Sequence, residues 1–99
     1  MYKVEYLPPA TADILEIEAY LYELSPTAAD RFTETLLEKT ATLEEYPLIY
    51  PVYENDPYFR RMVIMDHLLF YSVDEKRSLV VVHRVIYGKR DISLISLEH

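Results

Sequence analysis

The hydropathy pattern of these 99 residues predicts an α+β fold in the order β-α-α-β-β-β, a helical hairpin packed on a mainly antiparallel four-stranded sheet. Three observations carry the prediction. A short stretch of period two opens the chain. Two stretches of helical period follow, separated only by a Ser-Pro corner, and three apolar, β-branched runs then crowd the last third.

Tyr2, Val4 and Tyr6 alternate with Lys3, Glu5 and Leu7, which predicts a short first strand. Pro8 and Pro9 stop it because neither has an N–H for the ladder, and Pro9 suits the first turn of a helix. From about Pro9 to Leu24, Ile14, Ile17, Leu21 and Leu24 recur at helical steps with Ala10 on the same side, while Asp13, Glu16 and Glu23 are expected to lie away from them. Pro26 disfavours helical geometry at Ser25 and can start the next helix, with Ser25 as its cap. That second helix is predicted from Pro26 to Glu45, with Ala29, Phe32, Leu36, Thr40 and Leu43 as its buried stripe and Leu37 widening it. Helices joined this closely form a hairpin, and the sheet is the apolar surface left for them to cover.

Residues 46–58 carry Pro47, Pro51 and Pro57, which leave no room for a regular element. Tyr46, Tyr50, Tyr53 and Tyr58 are expected to pin this connector to the body by ring burial with wet hydroxyls. An exposed stacking platform for bases is the alternative, and it is opposed by the nearby Glu54 and Asp56, which repel phosphate. Three strands follow: Phe59 to Met65, Leu68 to Val73 after a turn at Asp66-His67, and Leu79 to Tyr87 after the polar loop 74–78. Runs that are apolar on both faces read as interior strands with both faces covered. One face meets the helices, and the other needs partial cover or a partner.

Composition bounds the function. A chain of this length makes one domain, expected over residues 1–96, with Leu97-Glu98-His99 set aside as an expression-vector remnant. The lack of cysteine excludes a disulfide framework and suits a reducing, cytoplasmic setting. No apolar run approaches the roughly 20 residues that span a bilayer. A net charge of −7 argues against coating nucleic acid by bulk electrostatics. The charge is uneven, however. Residues 1–57 hold twelve Asp/Glu against three Lys/Arg (−9), and residues 58–99 hold five against seven (+2).

The chemistry available is correspondingly narrow. Gly88 stands alone, so no glycine loop cradles phosphate, and no serine lies in a nucleophile signature. His67 and His83 lack metal-ligand spacing, so neither a metal nor a cofactor is expected. His67 reads as a turn residue, and His83, alternating with Val81 and Val85, as half-buried and hydrogen-bonded. What remains is basic: Arg60 and Arg61 at the start of one strand, Arg84 within the last, and Lys89-Arg90 after it. In an antiparallel meander these groups can converge to grip phosphate or carboxylate. Arg84, between Val82 and Ile86 on its face, requires an acid or a ligand, and Asp91 and the helix glutamates are the acids the pattern offers.

One ordered set of residues spans nearly the whole chain. It runs from Pro9-Ala10-Thr11-Ala12-Asp13-Ile14 through the hairpin to Leu43-x-x-x-Pro47, Tyr50-Pro51 and the Arg60-Arg61 strand. It continues in Leu69-Phe70-Tyr71-x-Val73-Asp74 and ends in Arg84-Val85-Ile86-Tyr87-Gly88-Lys89-Arg90-Asp91. With this set the chain resembles the RelE/ParE superfamily of toxins from bacterial type II toxin–antitoxin systems, often labelled plasmid-stabilisation proteins. The resemblance implies a growth-inhibiting toxin neutralised by a cognate antitoxin, either as a possible homodimer or within a toxin–antitoxin hetero-oligomer.

The superfamily divides by mechanism. RelE-like members cleave mRNA on the ribosome without metal, using basic residues around the phosphate and a tyrosine near the C-terminus. Carried onto this chain, the arginine after Gly-Lys is Arg90, with Arg61, Arg84 and Tyr87 as further candidates. The basic residue expected before the Leu-Phe-Tyr run is Leu68, and the C-terminal tyrosine falls near Ser96. Tyr87 or His83 would then have to serve in proton transfer. ParE-like members typically lack that nuclease set and poison DNA gyrase. The long hairpin and the Tyr-Gly-Lys-Arg-Asp ending are similar to that branch, so Arg60, Arg61, Arg84, Tyr87, Lys89 and Arg90 are expected to bind target or antitoxin. An mRNA endoribonuclease, or a degenerate toxin-like domain that only binds its partner, are the alternatives.

Overall fold

The computed structural model describes residues 1–90 and Leu97. The element order is β1 (Lys3–Tyr6), α1 (Pro8–Leu24), α2 (Pro26–Glu45), β2 (Arg60–Ile64), β3 (His67–Asp74) and β4 (Leu79–Tyr87). The sheet order is β1-β4-β3-β2, with β2-β3-β4 an antiparallel meander and β1 parallel to β4. The predicted β-α-α-β-β-β arrangement is therefore the one observed.

The prolines act at the helix starts, where a missing N–H costs nothing. Pro8 rather than Pro9 opens α1, and Pro26 opens α2. Ser25 serves both helices through its backbone: its N–H closes α1 on the Leu21 carbonyl (2.8 Å), and its own carbonyl receives Ala28 and Ala29. Its side chain makes no cap, contrary to expectation.

The helix α2 buries Ala29, Phe32, Leu36, Thr40 and Leu43, the stripe the periodicity predicts. Each large apolar side chain so buried contributes about 1.5–3 kcal/mol. Leu37 does not widen that stripe; it is 61% exposed. The helix α1 is seated more shallowly. Ala10 is fully buried and Ile14, Ile17 and Leu21 pack partly, but Leu24 is 65% exposed and outside the core.

Opposite these helices the sheet presents Met62, Ile64, Leu69, Tyr71, Val80, Val82 and Val85. The other face is covered by the connector, whose Tyr53 and Phe59 pack with Phe70 and Ile86, and Leu68 and Leu97 lean on the same cluster. Of the four connector tyrosines expected to be buried, Tyr53 is buried and Tyr50 partly so, whereas Tyr46 and Tyr58 are exposed.

Three strand-level expectations are corrected. First, β2 is an edge strand, not an interior one: Met62 and Ile64 point into the core and Arg61 and Val63 are exposed. Second, the β2–β3 turn is Met65-Asp66, with Met65 at a φ of 55°, so His67 belongs to β3 and pairs with Ile64. Third, β4 carries a bulge. Arg84 pairs with Phe70 and Val82 with Tyr71, which leaves His83 as the extra residue. The bulge moves Val85 onto the face of Val82 and Ile86 onto the opposite one, inverting the alternation that the sequence suggests beyond His83.

Candidate functional site

The strand β1 ends against Val82, where Leu7 donates its N–H to the Val82 carbonyl (3.0 Å). Beyond that point, among the described residues, β4 runs on without a strand on this side, and a ladder N–H left bare there needs another acceptor. Asp13 of α1 supplies it: its Oδ2 accepts the Val85 N–H at 3.0 Å. The same carboxylate holds Arg84 at two points, Nε to Oδ2 at 2.7 Å and Nη2 to Oδ1 at 2.9 Å. The Arg84 side chain is 22% and that of Asp13 15% exposed, so the pair is largely shielded. The hydrogen bond to Asp13 raises the already high Arg84 pKa against the opposing effect of burial, so its charge is held firmly. The acid that Arg84 required is thus Asp13, which had been expected to face away, and not a helix glutamate. Asp91 lies outside the described residues.

The predicted basic set does not converge on one spot. Arg60 is drawn into the connector, where its Nη1 donates to the carbonyls of Tyr50 (2.7 Å) and Leu48 (3.3 Å). Arg61, next along the strand, is exposed and sits in register with Phe70, which in turn pairs with Arg84. Tyr87, Lys89 and Arg90 form a third group at the end of β4 and are all exposed. The approach of this end to the β2–β3 turn is close. Gly88 donates to the Asp66 carbonyl at 2.8 Å, and a Cβ at Gly88 would stand 3.1 Å from that oxygen.

The two histidines lie on opposite faces. His83 is buried beside Phe59, with ring centroids 4.8 Å apart, and its Nε2 is 2.8 Å from the Ser72 hydroxyl. His67 is wedged edge-on between Phe32 (5.3 Å) and Tyr87 (5.8 Å). Burial lowers its pKa from the ordinary value, and the charge of Asp66 opposes the shift. Its Nδ1 is buried without a hydrogen-bond partner. Of the two proton-transfer candidates, His83 is thus held against Ser72 and Phe59, and Tyr87 lies beside His67.

His67 and Tyr87 instead line a cleft of about 520 Å³ between α1 and the adjoining end of β3 and β4, together with Glu16, Ile17, Tyr20, Leu21, Leu24 and Arg90. The sequence reading missed this cleft because it treated α1 as one-faced and His67 as part of a turn. One signal was present, since Asp13 stands three residues after Ala10 and four before Ile17, on the margin of the buried stripe. Among the described residues, no three His, Asp or Glu side chains group as metal ligands, and no helix is long and apolar enough to cross a membrane.

A search of curated sequences finds no match. Among solved structures, the toxin–antitoxin complex RelBE2 from Mycobacterium tuberculosis matches at 20% identity with a TM-score of 0.59, over 87% of this chain and 96% of that one, which is a likeness of fold. The sequence model of the family described as "ParE toxin of type II toxin-antitoxin system, parDE" matches residues 4–92. With the match spanning nearly all of its length and the β-α-α-β-β-β fold in place, the chain belongs to the ParE toxin family of type II toxin–antitoxin systems.

Proposed function

We propose that this toxin acts by binding and poisoning DNA gyrase, and that a cognate antitoxin neutralises it by covering its basic edge. The observation that carries the reading is the closure of Arg84 on Asp13. A nuclease working by electrostatic stabilisation needs several cations free to meet one phosphate. Here Arg84 is already neutralised, Arg60 is spent on loop carbonyls, and Leu68 leans on an apolar cluster where a base would be required. The exposed cations Arg61, Lys89 and Arg90 are better suited to the carboxylates of a protein partner, which need no convergence on a single atom.

The experiment is direct. Purified toxin is added to gyrase with supercoiled and relaxed plasmid, and in parallel to ribosomes engaged on mRNA. The reading expects loss of supercoiling with accumulation of cleaved DNA complexes and intact mRNA. Ribosome-dependent mRNA cleavage that disappears in Arg90→Ala, with gyrase unaffected, would overturn it.

A further inference from the structure

The cleft between α1 and the end of β3–β4 combines apolar walls, exposed aromatic rings and carboxylates without an ion-pair partner among the described residues. We propose that it is a docking site for a lysine or arginine side chain of a partner protein, with the aliphatic stem along the wall and the cation between the tyrosines and the rim carboxylates. This goes beyond the gyrase reading and does not depend on which target the toxin poisons.

The wall that would receive the stem is made by Ile17, Leu21 and Val85. Long cationic side chains lie along such surfaces while their heads stay polar. At the mouth, Tyr20 is 62% and Tyr87 46% exposed, so two rings face solvent where a cation can sit over them. The carboxylate count supplies the sign. Asp13 is matched by Arg84, which leaves the exposed Glu16 and Asp66 against the single guanidinium of Arg90 among the described lining residues.

His67 agrees with that sign. A buried ring nitrogen without a partner costs less as a lone pair than as a stranded N–H, so the proton belongs on Nε2 and the ring is neutral. A neutral ring beside Tyr87 does not repel an incoming cation. A glutamate entering the same cleft would meet two carboxylates, and an uncharged side chain would cover them without compensation.

The test is an NMR titration of the ¹⁵N-labelled folded chain with three blocked pentapeptides, acetyl-Ala-Leu-X-Leu-Ala-amide with X as arginine, norleucine or glutamate. The arginine peptide is expected to shift the amides of Tyr20, His67 and Tyr87, and to bind about tenfold or more tighter than the other two. The double charge reversal Glu16→Lys/Asp66→Lys, at two exposed positions, should remove that preference at an unchanged melting temperature. Equal binding of all three peptides, shifts confined to another surface, no detectable binding, or an unchanged arginine preference in the double variant would each overturn the proposal.

Discussion

Asp13 and Arg84 stand 71 residues apart in sequence and meet in a two-point ion pair whose carboxylate also accepts the backbone N–H of Val85. One side chain of α1 therefore fastens the helix to the sheet at the place where β1 has run out. Asp13→Ala removes three hydrogen bonds and strands a shielded guanidinium. Urea unfolding should show a loss of about 2–3 kcal/mol, and Arg84→Met a smaller one because Asp13 keeps the Val85 N–H. A double-mutant cycle should return a coupling of about 1–2 kcal/mol, and additive losses would show that the pair is not an energetic unit.

This pair also marks how far the sequence could be read. Element order and the α2 stripe were legible because periodicity is local and Phe32, Leu36 and Leu43 obey it. The bulge at His83 was not legible, since it depends on how β3 and β4 align, and one extra residue exchanges the faces of Val85 and Ile86. Nor could composition show that Arg60 bonds the connector while Arg61 faces solvent, because that follows from the path the loop takes across the sheet.

Tyr71 gives an alkaline prediction. Its hydroxyl donates to the Pro47 carbonyl at 2.8 Å, and burial pushes its pKa up to about 12, only partly offset by the charge of Arg60. A raised pKa means that the unfolded chain loses this proton first. The stabilisation is intact below pH ~10 and is lost as the pH rises from there towards 12. Tyr71→Phe should cost about 1–2 kcal/mol at pH 7, from the orphaned carbonyl. It should also flatten the decline in unfolding free energy between pH ~10 and 12, and parallel pH profiles for wild type and variant would count against it.

His67 gives the acid counterpart. Its pKa is lowered by burial, against the effect of Asp66, so the unfolded chain binds a proton that the folded one resists. Stability should fall as the pH drops through ~6.5 towards the lowered folded value, with the full penalty below it. Asp13, Glu16, Asp66, Tyr87 and Arg90 face the same cleft, and other titrations there are shared by the variant. The melting temperature of His67→Gln should therefore change less between pH 7.5 and 5 than that of the wild type.

Arg60 and Arg61 are adjacent, equally charged and opposite in consequence. Arg60 holds the carbonyls of Leu48 and Tyr50, fixing the connector whose Tyr53 and Phe59 cover the outer face. Arg60→Ala releases both acceptors, and chemical denaturation should show a loss of about 1–3 kcal/mol, as for charge-assisted bonds to backbone. Arg61 is exposed and its guanidinium has no hydrogen-bond or ion-pair partner among the described residues, so Arg61→Ala should change stability by less than about 0.5 kcal/mol. If the exposed cations form the recognition edge, Arg61→Ala combined with Lys89→Ala and Arg90→Ala should relieve growth arrest and weaken target binding at an unchanged melting temperature. Arg60→Ala should instead reduce toxicity only in proportion to its loss of folded protein, measured as soluble yield. A triple variant as toxic as the wild type would remove these cations from the working surface, and a drop in toxicity that merely tracks unfolding would do the same.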